Sequence, residues 1–271
     1  MRKKALLLAV IFVIILGFGA CAAQQKDTSV SRTGSSSATE TSSPWIGLEG
    51  VQNARRLSGY LTHSNGTVNP GLILRSGELA GLTDPGKALL AGEYRLTHII
   101  DLRDEIEVAA APDPAIKGTQ YHHLNVWPRA VRLRLIEEST VNGLIDSELY
   151  KEKYYTAFAL EPTAITAYRS MFDILLDNED GTVLIHCMHG RDRTGIAITL
   201  ILSALDVGWD SVEQEYLLSN VAIAGSVEVS SLRLYREIIE KNYGSMENYL
   251  KEEMGLNENR LLTLRGKYTT S

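Results

Sequence analysis

The sequence predicts an α/β fold, a mainly parallel central sheet flanked by helices, and three observations predict it. Short β-rich runs alternate with stretches of helical length and apolar spacing, a turn signal separates one such pair, and no internal repeat is evident. The strands read as 72–74, 97–102, 120–126 and 182–186, the last following Asn178, Glu179, Asp180 and Gly181. The helices read as 85–94, 162–176, 194–205, 211–219 and 228–243, with 245–254 behind them. In such sheets ligands bind beyond the carboxyl ends of the strands, so a site is expected where a strand hands over to a helix.

The segment 128–161 stands apart. It follows a strand, carries Arg129, Arg132 and Arg134, and then offers a helix over 146–160 with Asp146 or Ser147 as its cap. Two readings fit it, an insertion acting as a lid over the same sheet edge or an ordinary surface helix pair.

With 271 residues, 44% hydrophobic and 22% charged, the chain is long and apolar enough to bury one sizeable core, which excludes disorder throughout. The formal charge of -6 excludes a nucleic-acid partner, because binding a polyanion requires a basic surface that displaces counterions. An anion site in this protein must therefore be a local concentration of positive groups.

At the N-terminus Arg2, Lys3 and Lys4 precede an apolar run over 5–20 and then Cys21, the layout of an export signal. The run falls short of the roughly 20 residues that span a bilayer. Leu16 to Cys21 reads LGFGAC and resembles a bacterial lipobox, which makes Cys21 the expected lipidation site. The alternative is an uncleaved anchor. Either way the protein is expected to be exported and held at the outer face of a bacterial membrane. Residues 21–44 are rich in Ser, Thr, Ala, Gln and Gly and read as a flexible tether, leaving 45–271 as the folded domain.

The chain has two cysteines, Cys21 and Cys187. With lipid on the first, the second is a lone thiol beside a histidine. It stands in the stretch 186–195, HCMHGRDRTG, where an apolar strand ends and an apolar helix begins. A loop of this kind aims successive backbone N–H groups at one point, and the helix dipole adds positive potential there. Gly190 and Gly195 permit the tight path, and Arg193 offers a bidentate fork for two phosphate oxygens. The same groups stabilise a thiolate, so Cys187 is expected to be nucleophilic near neutral pH and to form a cysteinyl-phosphate that water then cleaves. No metal or cofactor is needed for that chemistry.

The pattern His186-Cys187-x-x-Gly190-x-x-Arg193-Thr194-Gly195 resembles the HCxxGxxR(S/T)G signature of cysteine-based protein tyrosine phosphatases. Residues 190–195 are similar to the GKDRTG of an atypical bacterial branch that includes tyrosine, dual-specificity and phosphoinositide phosphatases. Six fixed positions match by chance in a chain of this length with a probability on the order of 10⁻⁶. The likeness extends to 53–57, 74–79, Leu82-Thr83, the Ile100-Asp101-Leu102-Arg103-x-x-x-Glu107 stretch and 215–220, and stops near residue 220.

The resemblance implies a tyrosine-phosphatase-like fold and roles for named residues. Cys187 is the nucleophile, Arg193 the phosphate clamp, Thr194 the donor to the departing sulfur, and His186 fixes the loop from behind. Met188, His189, Gly190, Arg191 and Gly195 complete the phosphate-binding loop, and Arg191 stands where the branch has Lys. Many relatives take the catalytic proton from a Trp-Pro-Asp loop, but this chain has Trp127-Pro128-Arg129, and a cation cannot donate that proton usefully. The expected acid is therefore Asp192, with Asp101 and Asp104 as alternatives. The implied partners are phosphorylated proteins, on tyrosine, serine or threonine, or phosphoinositides.

Other readings of the same residues remain open on sequence grounds. Cys187 could be an inert buried thiol, and His186, Cys187 and His189 could ligate a metal, although no fourth ligand stands at recognisable spacing. Arg75 and Arg103 could reach the phosphate as accessory binders or form structural ion pairs with Glu78 or Glu107. Tyr154, Tyr155 and Phe158 read as helix packing rather than a substrate platform. The whole domain could also be a degenerate phosphatase that only captures phosphorylated ligands.

Overall fold

The computed structural model describes residues 43–223 and 227–270. Strands β3 (Ile73–Ser76), β4 (Leu96–Asp101), β5 (Gln120–His123) and β8 (Thr182–His186) run parallel, and β1 (Arg55–Arg56) closes one edge antiparallel to β3. The sheet order is β1-β3-β8-β4-β5, which puts β8 in the middle. Side chains alternate across the pleat and so sort onto two faces. Ile73, Ile100, Val183 and Ile185 enter the larger core, whereas Leu74, Ile99 and Leu184 enter the smaller one.

Two short helices come first along the chain. Helix α1 (Asp84–Gly92) is capped by Thr83, whose hydroxyl accepts from Gly86 N–H, and it sends Leu90 into the smaller core. Helix α2 (Glu105–Ala110) opens on a reciprocal capping box between Asp104 and Glu107. The later helices are α3 (Arg129–Glu138), α4 (Ser147–Leu160), α5 (Pro162–Asp177), α6 (Asp192–Ala204), α7 (Trp209–Leu217), α8 (Ser219–Ala222), α9 (Val229–Tyr243), α10 (Met246–Glu252) and α11 (Glu258–Tyr268). All but α8 contribute buried side chains to the larger core. Helix α6 buries 11 of its 13 residues, so it runs through the interior directly after β8.

The expected elements are present with shifted ends. The strand expected over 120–126 stops at His123, because the Asn125 side chain accepts from Trp127 N–H at 2.9 Å and turns the chain away. The C-terminal residues, which the family resemblance did not reach, are part of the core. Tyr249 donates to Ala159 O and Tyr268 to Leu175 O, both at 2.9 Å, and β9 (Thr269–Thr270) pairs with β2 (Thr67–Val68).

The segment 128–161 is neither a loose lid nor a surface helix pair along its whole length. Its first part is α3 followed by the hairpin of β6 (Thr140–Val141) and β7 (Leu144–Ile145), turned by Asn142 and Gly143, both at positive φ. Its second part, α4, buries Tyr155, Ala157, Phe158 and Ala159 and packs against α5 and α9. Burial of that face makes α4 a fixed wall, whereas α3 buries only Leu135 and the hairpin stays largely exposed.

Candidate active site

Strand β8 ends at His186, where the register sets Ser76 of β3 and Asp101 of β4 on either side. The chain then turns through Cys187 to Arg191 and enters α6 at Asp192. Three consecutive carbonyls of this loop are pinned outward. Glu78 N–H donates to Met188 O at 3.0 Å, and Asn53 Nδ2 donates to His189 O at 3.2 Å and Gly190 O at 2.8 Å. In a trans peptide the N–H points opposite to the carbonyl, so the amides of His189, Gly190 and Arg191 face the inside of the turn. No described residue accepts from them. Cys187 stands at the start of this turn and is only 2% exposed.

The loop path depends on glycine at one position above all. Gly190 has φ +64, and a Cβ built there would lie 2.3 Å from Ser76 O. Both the backbone conformation and the close approach to β3 exclude a side chain. Behind the loop, Glu215 of α7 joins two fully buried arginines, accepting from Arg55 Nε at 2.8 Å and Arg75 Nη1 at 2.6 Å. Arg75 Nη2 also donates to Gly190 O. Burial opposes ionisation of Glu215, but Arg55 and Arg75 outweigh it and hold the carboxyl below its ordinary range. Burial and then Arg55 bring Arg75 down to about 10.

Arg193, in the first turn of α6, is held by Glu107 of α2 through both carboxylate oxygens, at 2.5 and 2.8 Å. Burial works against the Glu107 carboxylate, yet its bond with Arg193 keeps its pKa low. The pair fixes the guanidinium plane while leaving donors free, because Glu107 engages only the Nη1 and Nη2 groups. Arg132 of α3 meets Asp104 at 2.9 Å and lies over the Trp127 ring, so α3 is fastened beside the same helix end.

Arg103 takes a different direction. It is fully buried and donates to Asp101 through Nε and Nη2, to Asp113 at 2.9 Å and to Ala111 O at 2.7 Å. The expectation that Arg75 and Arg103 reach a bound phosphate is therefore corrected. Both are structural, Arg103 pairing with Glu78 at 3.2 Å as one reading had it, while Glu107 goes to Arg193 instead. The reason is that a buried arginine at a strand end turns to the nearest carboxylates and carbonyls, although Arg75 Nε keeps no hydrogen-bond partner among the described residues.

His186 lies in the same inner cluster, its Nε2 at 2.8 Å from Asp113 Oδ2 and its Nδ1 at 3.3 Å from Cys187 O. Asp101, Asp113 and His186 gather ligand-type atoms within 4.8 Å of one another. Arg103 already supplies the positive charge between the two carboxylates, so the cluster reads as an ion-pair network rather than a metal centre. Burial opposes ionisation of Asp101, but Arg103 prevails and the carboxyl lies at about 2. Asp101 is thus held as a carboxylate by Arg103, and Asp104 is committed to the helix cap and to Arg132.

Asp192 is different, being partly exposed and bonded on both oxygens. Tyr155 of α4 donates to Oδ1 at 2.9 Å, and Arg191 Nε donates to Oδ2 at 3.2 Å. Tyr154, held edge-on by Trp127 and Phe158 and stacked near Tyr150, completes an aromatic wall beside it. Helix packing was the expected role of Tyr154, Tyr155 and Phe158, and Tyr155 adds a polar contact to it. Thr194 Oγ1 is buried with no hydrogen-bond partner among the described residues. His189 is held below its ordinary pKa by burial and then by Arg191 and Arg193. Met188 and His189 also line a cleft of about 290 Å³ with Gln52 and Glu78.

Sequence reasoning did not identify Asn53, Glu107, Glu215, Tyr155 or Tyr216 as parts of the site. The stretches around all of them but Tyr155 carry the family likeness, and that was the one available signal.

Comparison with known proteins agrees with this construction. A model of the tyrosine phosphatase family matches residues 46–270. A Cupriavidus necator protein that carries a tyrosine-protein phosphatase name is 28% identical over 254 residues, covering 82% of this chain and 88% of its own length. The triple specificity protein phosphatase PtpB of Mycobacterium tuberculosis is 25% identical over 276 residues, with 81% and 97% covered. Among solved structures, the core catalytic domain of the PP-IP phosphatase SIW14 from S. cerevisiae covers 80% of this chain at 15% identity, with 97% of that domain aligned and a TM-score of 0.40. The match over nearly all of the folded domain places the chain in the tyrosine phosphatase family, as a phosphatase enzyme.

Proposed function

We propose that the chain hydrolyses phosphate monoesters through a cysteinyl-phosphate on Cys187, acting on phosphorylated tyrosine, serine or threonine of proteins or on phosphoinositides. The observation that carries this reading is the loop whose carbonyls are pinned backwards, so that its amides converge beside Cys187. A phosphate seated there meets those amides and the free donors of Arg193. The Cys187 thiolate attacks phosphorus while the ester P–O bond breaks, and Asp192 gives its proton to the leaving oxygen. Asp192, now a carboxylate, then takes a proton from the water that attacks phosphorus, and the S–P bond breaks. The unpartnered Thr194 hydroxyl is available to donate to the departing sulfur.

The breadth of substrate rests on two supports. One relative is named a triple specificity protein phosphatase. Partly exposed Arg191 and Arg132 also add positive charge beside Asp192 and Glu107, with Arg129 exposed on the same helix as Arg132, which suits a polyanionic substrate.

The acid role of Asp192 gives a specific expectation. Asp192→Asn should slow hydrolysis of phenyl phosphate by about 10² or more, but slow p-nitrophenyl phosphate only a few-fold, because nitrophenolate leaves without a proton. Steady-state kinetics on the two esters measures this, and equal losses would assign Asp192 to loop shape alone.

The same reading places the domain at the outer face of a bacterial membrane, held by lipid on Cys21, which lies outside the described residues. Metabolic labelling with a fatty acid should mark the wild type and leave Cys21→Ser unmarked. Label persisting on that variant would overturn the lipid anchor.

A further inference from the structure

Behind Asp192 lies a polar chain that the reaction as described does not use. Tyr155 Oη lies 2.9 Å from Asp192 Oδ1 and 3.0 Å from Tyr216 Oη. Both phenols are almost fully buried, at 3% and 1% exposure. Tyr155 has one hydroxyl hydrogen. If it goes to the carboxylate, Tyr216 must donate to Tyr155. Tyr216 is itself fixed, because its ring lies against Gly195, where a built Cβ would come within 2.7 Å of it. This contact supplies a packing reason for glycine at 195, in addition to the loop path.

Resting on the reading of Asp192 as the general acid, we propose that Tyr155, braced by Tyr216, is a positioning residue that reserves Oδ1 of Asp192 as an acceptor, so that the transferable proton is carried on Oδ2. The argument is one of valence. An oxygen that receives a hydroxyl hydrogen does not also hold a proton directed along the same line. Oδ2 is shared only with Arg191, whose side chain is 27% exposed and is free to turn toward a substrate phosphate. When the proton leaves Oδ2 for the ester oxygen, the carboxylate formed keeps the Tyr155 hydrogen bond and regains Arg191. Both contacts stabilise the carboxylate that the transfer leaves behind.

The surroundings allow the effect to be read by pH. Phenols facing Asp192 are Tyr150 and Tyr154 beside Tyr155 on α4, Tyr168 on α5 and Tyr216 on α7. Burial raises every one of them, Tyr150 to about 12, so they stay neutral in the assay range. His189 is shifted downward by burial, and Arg191 and Arg193 keep their charge. With these phenols and arginines fixed in charge, a change in the pH profile on altering Tyr155 would report on Asp192.

The experiment compares Tyr155→Phe, Tyr216→Phe and Asp192→Asn on phenyl phosphate and p-nitrophenyl phosphate across pH. Tyr155→Phe should lower kcat for phenyl phosphate about 10-fold, lower it for p-nitrophenyl phosphate less than about 3-fold, and move the basic limb up by about one pH unit. The direction follows because losing a donor to the carboxylate raises the acid's pKa. Tyr216→Phe should do the same to a smaller extent, and Tyr155→Phe added to Asp192→Asn should change nothing further. Equal loss on both esters with an unmoved limb, or additive loss in the double variant, would overturn the positioning role while Asp192 kept its own leaving-group signature. If Asp192→Asn itself lacks that signature, the acid reading fails and this inference fails with it.

Discussion

Cys187→Ser is expected to lower turnover of p-nitrophenyl phosphate by about four orders of magnitude or more while leaving phosphate binding within a few-fold of wild type. The argument is one of acidity. The loop amides, Arg193 and the start of α6 favour an anion beside residue 187, and a thiol yields a nucleophilic anion far more readily than a serine hydroxyl does. Arg193 and Glu107 keep their geometry in the variant, and the loop carbonyls keep Glu78 and Asn53 as donors, so the cradle still accepts phosphate. Steady-state rates beside a phosphate titration measure both halves. Turnover surviving within about ten-fold would remove Cys187 from the chemistry, and would favour a module that only captures phosphorylated ligands if the wild type were equally slow.

The largest effect on stability is expected from Glu215→Ala. Removing that carboxylate leaves Arg55 and Arg75 buried side by side without their shared counter-charge. Breaking a buried ion pair from one side costs about 3–5 kcal/mol, which for a domain of this size lowers the thermal midpoint by roughly 10 °C. Arg75 would also lose the partner that aims it at Gly190 O, so activity should fall in the fraction that stays folded. Glu215→Gln, which keeps an acceptor, should lose less. Thermal melts of the two variants decide it, and a midpoint for Glu215→Ala within a degree or two of wild type would show that the arginines find other partners.

The part of the site that sequence made legible is the part contiguous along the chain. Residues 186–195 carry the nucleophile, the clamp, the glycines and the acid candidate within one strand-to-helix turn, so their types and spacing suffice to suggest the cradle. What holds that turn in shape arrives from far away. Asn53 lies 137 residues from Gly190, Glu107 86 from Arg193, and Tyr155 37 from Asp192. Each is an unremarkable polar residue until the fold brings it in. Arg75 and Arg103 misled for a related reason. A strand end shows which edge of the sheet a side chain occupies, but not whether a nearer carboxylate claims it.

The fold was legible to a similar degree. Strands β4 and β8 and helices α5, α6 and α9 carry clear apolar spacing and were placed within a few residues. Helix α11 depends on α5 and α6, as between Tyr268 and Leu175, 93 residues apart, and the pairing of β9 with β2 joins Thr67 to Thr270, 203 residues apart, so short-range pattern gives no hint of them. Within 128–161 the helix over 146–160 and the packing role of Tyr155 and Phe158 were legible, whereas the elements that receive them, α5 and α9, are set by the tertiary fold.

The central claim is that the convergent amides serve a sulfur nucleophile, and rapid acid quenching during turnover of a radiolabelled phosphate monoester tests it most directly. One phosphate per chain, acid-stable and recovered on the peptide bearing Cys187, is the result this account predicts. Steady hydrolysis with no label on the protein, or label on His189 instead, would contradict it.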